Sequence, residues 1–116
     1  MKNRRSTNRA ISYAKAVFLF YDIIGYVRDL SPTGLRVEIL PETLPPIGES
    51  IHTTIISHPD LNLDPFNILT HLRWSRENGP TTAVGLEIVH FSSSRGEKIF
   101  QELIKVFAEL KPLDEE

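Results

Sequence analysis

The sequence predicts an all-β-dominated domain, a sandwich or barrel of six short strands followed by one C-terminal α-helix. Three observations carry that expectation. Six segments rich in aromatic and β-branched residues are separated by breaks containing Pro, Gly, Asn or Asp. Residues 34–40 alternate cleanly, with Leu35, Val37 and Ile39 on one face and Arg36 and Glu38 on the other. After Ser94 the apolar period lengthens to that of a helix, through Ile99, Phe100, Leu103, Ile104, Phe107 and Leu110.

Taken in order, residues 1–11 form a polar, basic arm without a hydrophobic run, expected to be mobile by itself. Strands are expected at Ala14–Tyr21, Ile23–Leu30, Gly34–Leu40, Ser50–Ser57, Asn67–Arg76 and Thr81–Phe91. Pro41, Pro45 and Pro46 mark a loop that ends near Gly48, and residues 58–65 and 77–80 supply the later breaks. Ser94-Arg-Gly-Glu97 has the spacing of a capping box, Lys105 and Lys111 suit the far end of a helix, and Pro112 is expected to stop it. The apolar stripe of this helix either packs on the barrel or binds a partner; packing is the expectation. Residues 12–112 then make one domain, and residues 113–116 an acidic tail.

Composition narrows the function classes. A chain of 116 residues fits one domain with a core of its own. The absence of cysteine excludes disulfides and thiolate-ligated metals. His52, His58, His71 and His90 lack metal-ligand spacing, and neither a nucleophile elbow nor a Gly-rich phosphate loop is present, so neither a metal nor catalysis is expected. The apolar stretch 16–27 is broken by Asp22 and Gly25 and is too short to span a bilayer. The basic start leads into no apolar signal core, which points to a cytoplasmic protein. Net charge is −2, yet residues 1–10 carry +4 (Lys2, Arg4, Arg5 and Arg9), while the remainder has nine basic and fifteen acidic residues, or −6. A basic arm on an acidic body favours a small anionic partner over bulk DNA or RNA.

Two short motifs carry chemistry. Asp29-Leu-Ser31-Pro-Thr-Gly34 offers Ser, Pro and Gly where a type I turn prefers them, and taken alone it is a turn. Asp29 and Ser31 are also two residues apart on a strand, hence on one face, where a carboxylate and a hydroxyl can take up the amide and amino protons of a purine. Gly34 leaves the backbone open to a flat ligand. Arg5-Ser-Thr-Asn-Arg9, with Arg4 directly before it, is either a solvated basic terminus or a clasp. Guanidinium groups bind the O6/N7 edge of guanine, pair with phosphate and stack on rings, which Lys does less well.

In this order and spacing the two motifs resemble the PilZ domain family. The resemblance extends to Leu72-Arg-Trp74, Val84-Gly-Leu-Glu87 and the C-terminal helix, nearly the whole chain. It implies a six-stranded antiparallel β-barrel with a helix at one end, acting in bacteria as a receptor for cyclic di-GMP in the signalling that governs motility and biofilm formation. By the same resemblance Arg5 and Arg9 clasp guanine and phosphate, Asp29 and Ser31 bind a guanine edge, and Gly34 keeps the surface open. Arg4 favours a stacked pair of ligands, and Trp74 is either core or adjacent to the ligand. The chain departs from the family pattern at Asn8, where an aromatic residue or proline is more usual, and at Ile88, where Phe is. Signalling would run through arm ordering toward an unidentified downstream protein, with no membrane insertion. Two other readings compete: a ligand-independent adaptor in pilus or motility machinery, and a small barrel binding single-stranded nucleic acid, which the acidic body disfavours.

Overall fold

The computed structural model describes residues 13–40, 44 and 46–114, with side chains as far as residue 109. Strands β1 (Ala14–Phe18), β2 (Ile23–Ser31), β3 (Gly34–Ile39), β4 (Ser50–Ser57), β5 (Phe66–Asn78) and β6 (Thr81–Phe91) close into an antiparallel barrel in the order β1-β2-β3-β6-β5-β4. Closure is made by β4 returning to β1, from Ala14 opposite Ser57 to Phe18 opposite Thr53. Of the sandwich and the barrel that alternating strands allow, the chain thus takes the one whose sheet joins its own edge.

Alternation fills the interior. Ala14, Ala16 and Phe18 of β1, Leu35, Val37 and Ile39 of β3, and Ile51 and Ile55 of β4 all point inward and are buried. Three buried hydroxyls among the described residues, those of Thr53, Ser57 and Thr70, accompany them, and the two threonines share a backbone acceptor. Thr70 Oγ1 donates to the Ile51 carbonyl at 3.1 Å, and Thr53 Oγ1 lies 3.3 Å from that carbonyl and 3.4 Å from Thr70 Oγ1, so neither is left without a partner.

Helix α1 (Ser94–Asp114) seals one end of the barrel. Ile99, Phe100 and Leu103 are buried, Ile104 and Phe107 pack beside them, and the Phe100 ring lies 6.2 Å from Phe66 and 5.4 Å from Phe91. Tyr13 meets Phe107 edge-on at 5.9 Å. The helical stripe therefore packs on the barrel.

Three local details depart from expectation. β1 stops at Phe18, because Phe20 (φ 74°) and Asp22 (φ 55°) take left-handed conformations in the turn to β2. The helix cap is one residue earlier than the Ser94–Glu97 spacing suggests. Ser93 Oγ accepts from Gly96 N–H at 3.0 Å, so glycine holds the third helical position and no capping-box glutamate stands there. Finally, α1 runs through Pro112 to Asp114, into the segment assigned to the tail, although proline there removes an N–H donor and crowds the carbonyl four residues back.

Leu103 is fully buried between helix and barrel. Leu103→Ala is expected to cost about 2–5 kcal/mol, as for other buried Leu→Ala changes; a urea-unfolding midpoint equal to wild type would show that the helix does not depend on this contact.

Candidate ligand-binding cleft

The cleft begins with two irregularities in the sheet. In β2, Ile23, Gly25 and Val27 lie on the inner face, and strict alternation would send Asp29 and Ser31 inward after them. Instead Val27 pairs with Val37 and Asp29 with Arg36, leaving Arg28 as an extra residue. This bulge reverses the phase: Leu30 turns in toward the core, and Asp29 and Ser31 turn out. β5 repeats the device. Phe66, Ile68, Thr70 and Leu72 point inward; Leu72 then pairs with Leu86 and Trp74 with Gly85, so Arg73 is the extra residue and Trp74 faces outward.

On the outer face the registers align two rows across four strands: Asp29–Arg36–Gly85–Trp74 and Ser31–Gly34–Glu87–His71. At about 4.8 Å between neighbouring strands, each row spans roughly 14 Å. A cleft of about 510 Å³ lies over them, lined by Asp29, Ser31, Gly34, Arg36, Arg73, Trp74 and Glu87, among others. That volume falls in the range of small-molecule sites.

Glycine makes the floor flat. A Cβ on Gly85 would stand 2.2 Å from Trp74 Cε2 and Nε1, so the indole lies directly on the Gly85 backbone. A Cβ on Gly34 would stand 2.6 Å from the Leu86 carbonyl oxygen. Trp74 is 39% exposed and carries Arg76 over its ring at 5.3 Å, so it is a wall of the cleft and no part of the core.

Ser31 builds the turn and borders the cleft. Its Oγ accepts from Thr33 N–H at 3.3 Å and Gly34 N–H at 3.2 Å, closing the two-residue loop Pro32-Thr33, in which neither residue has a positive φ. Ile88 N–H donates to the Thr33 carbonyl at 2.8 Å and ties this turn to β6. The turn and ligand readings of the motif are thus compatible in one geometry. Asp29 is engaged across the strands by Arg36 at 2.8 Å, and Glu87 is engaged by Arg73. Arg36 Nε is buried with no hydrogen-bond partner among the described residues. Beside the β2 bulge, Arg28 pairs with Glu38 at 2.7 Å, and Asn78 donates to the same carboxylate at 2.9 Å. Burial would raise the Glu38 carboxyl, but the hydrogen bond and charge of Arg28, the Asn78 amide and the charge of Arg36 outweigh it and hold its pKa below the usual carboxylate range.

Asp29, Ser31, Gly34 and Trp74 therefore meet on one face. Arg4, Arg5 and Arg9 lie outside the described residues. Arg36, Arg73 and Glu87 were not singled out from sequence as site residues; for Arg36 the outward phase of β3 is visible in its alternation, whereas Arg73 and Glu87 lie within the Leu72-Arg-Trp74 and Val84-Gly-Leu-Glu87 segments, whose facing depends on the β5 bulge at Arg73. Among the described residues no group of three His, Asp or Glu is placed to hold a metal ion, and no helix is long and apolar enough to cross a membrane.

The family model of the PilZ domain matches residues 3–105. The chain belongs to the PilZ domain family, whose domains are binding domains for cyclic di-GMP and not catalysts. No curated protein matches the chain.

Trp74 is the single tryptophan, so its fluorescence reports this face alone. Gly85→Ala is expected to push the indole off the sheet, shift its emission to the red and destabilise the fold by about 1–3 kcal/mol; an unchanged spectrum would contradict the close contact. Glu38 supplies a pH signature. Its folded pKa lies below its unfolded one, so the stability it contributes is present above the ordinary carboxylate pKa and is lost as pH falls through the folded value. Glu38→Gln is expected to be less stable than wild type near neutral pH, with the difference closing as the pH falls below the ordinary carboxylate range, as followed by urea denaturation at several pH values.

Proposed function

We propose that this domain is a cyclic di-GMP receptor in which the cleft and the N-terminal arm together hold the ligand. The observation that carries the proposal is the outward alignment of Asp29, Ser31 and Gly34 with Trp74 over a floor opened by two glycines. A carboxylate and a hydroxyl at one end suit the donor edge of guanine, and an indole wall suits stacking.

Chain geometry supports a part for the arm. β1 runs antiparallel to β2 with Lys15 opposite Tyr26, so the chain enters at Tyr13 alongside the Arg28–Asp29 end of β2. Arg9 stands four residues before Tyr13 and Arg5 eight. At about 3.3–3.6 Å per extended residue, both are within covalent reach of the cleft. In this mechanism Arg5 and Arg9 bind guanine and phosphate from above, and Arg4 adds a contact to a second, stacked ligand. Ordering the arm costs conformational entropy, offset by charge-assisted hydrogen bonds and stacking. The surface formed by arm and ligand is then what a downstream protein recognises.

Calorimetric titration with cyclic di-GMP, with GTP as control, tests the proposal. Wild type is expected to bind the cyclic dinucleotide selectively, with a stoichiometry near two ligands per chain if Arg4 has the stated role. Arg5→Ala/Arg9→Ala and Asp29→Ala are each expected to weaken binding at least about 100-fold, from loss of more than one charge-assisted contact. A folded wild type that ignores cyclic di-GMP would remove the receptor reading and favour the adaptor.

A further inference from the structure

The cleft holds two arginines that belong to neither motif. Arg36 is paired with Asp29, so any change there also disturbs a motif residue. Arg73 is different. It is the extra residue of the β5 bulge, displaced onto the outer face beside Trp74, and it borders the cleft from the wall opposite Asp29. It pairs with Glu87, which lies directly across from Gly34 on the neighbouring strand. The Arg73 and Glu87 side chains are 54% and 45% exposed.

We infer that Arg73 is a further anion-binding residue of this cleft, held in reserve by Glu87 and released to a ligand phosphate. The inference rests on the cyclic di-GMP reading and assigns a residue which that reading leaves idle. Among the described residues that line the cleft, Arg36 and Arg73 are matched one for one by Asp29 and Glu87, so the empty floor is close to neutral. A ligand with two phosphodiester charges needs cations there. An ion pair as exposed as Arg73–Glu87 is weak, because water screens it and two long side chains must be held still. A guanidinium fork on a phosphate is a stronger, charge-assisted contact. Exchange of Glu87 for phosphate is therefore favourable once the ligand is seated on the floor. Glu87 then faces solvent at the cleft rim, where its remaining effect on the ligand is repulsive.

This arrangement predicts opposite signs for two neutralising changes within one ion pair. Arg73→Gln is expected to weaken cyclic di-GMP binding about tenfold, the loss of a hydrogen-bonded charge contact. Glu87→Gln, which frees Arg73 and removes the repulsion, is expected to strengthen binding about twofold to fivefold. Both are read by calorimetric titration of the full chain beside wild type, at two salt concentrations. The gain in Glu87→Gln should shrink at the higher salt. A pair that served only to hold the strands together would give weakening in both variants, and that outcome would overturn the inference. So would unchanged affinity in Arg73→Gln while wild type binds. Failure of wild type itself to bind would instead overturn the receptor reading and this inference with it.

Discussion

Side chains on a β-strand alternate between the two faces of the sheet, and in a closed barrel one face is core and the other is surface. A functional group can change sides only if the chain gains a residue. The cleft face depends on that constraint being met at two of the sheet's three bulges. The bulge at Arg28 converts an inward run ending at Val27 into an outward Asp29 and Ser31, and the bulge at Arg73 does the same for Trp74. Without them a carboxylate and an indole would be driven into an interior already filled by Leu35, Val37 and Leu72.

The two bulges also aim at one another. Because β3 and β6 are neighbours in the barrel, Arg36 and Gly85 lie between Asp29 and Trp74, and the re-aimed residues from distant parts of the chain fall in one row. Gly34 and Gly85 open the middle of the face between Arg36 and Glu87, and Trp74 stands at one wall. The indole rests on Gly85, and the Ser31–Gly34 turn is fastened to β6 through Ile88. The rigid part of the cleft is thus backbone and packing. Its polar part is the two half-exposed ion pairs Asp29–Arg36 and Arg73–Glu87, which water screens.

Polar groups near the β2 bulge show how the irregularity is tolerated. Arg28, the extra residue, does not point into the core; it pairs with Glu38 and sits over the Tyr26 ring at 5.9 Å. Asn78, at the tip of the β5–β6 hairpin, donates to the same carboxylate, so the hairpin is fastened to β3 beside the bulge. The opposite end of the barrel is closed by aromatic and aliphatic packing against α1.

Six strands and a helix were legible in the residues themselves, because period-two and period-3.6 apolar patterns are local consequences of where side chains point. So was the pairing of Asp29 with Ser31 on one face, and the turn at Pro32-Thr33. Strand ends were less legible: the positive φ of Phe20 that stops β1 belongs to a residue type that seldom adopts it. The face itself was decided only by the tertiary structure. Whether Asp29 looks inward or outward depends on whether Arg28 is matched across the strand, and that is settled by how β3 closes against β2 and β6. Trp74 could be core or wall until the same kind of mismatch at Arg73 laid it on Gly85. Alternation is a property of one strand, whereas a bulge is a property of two, and only the folded pair contains the information.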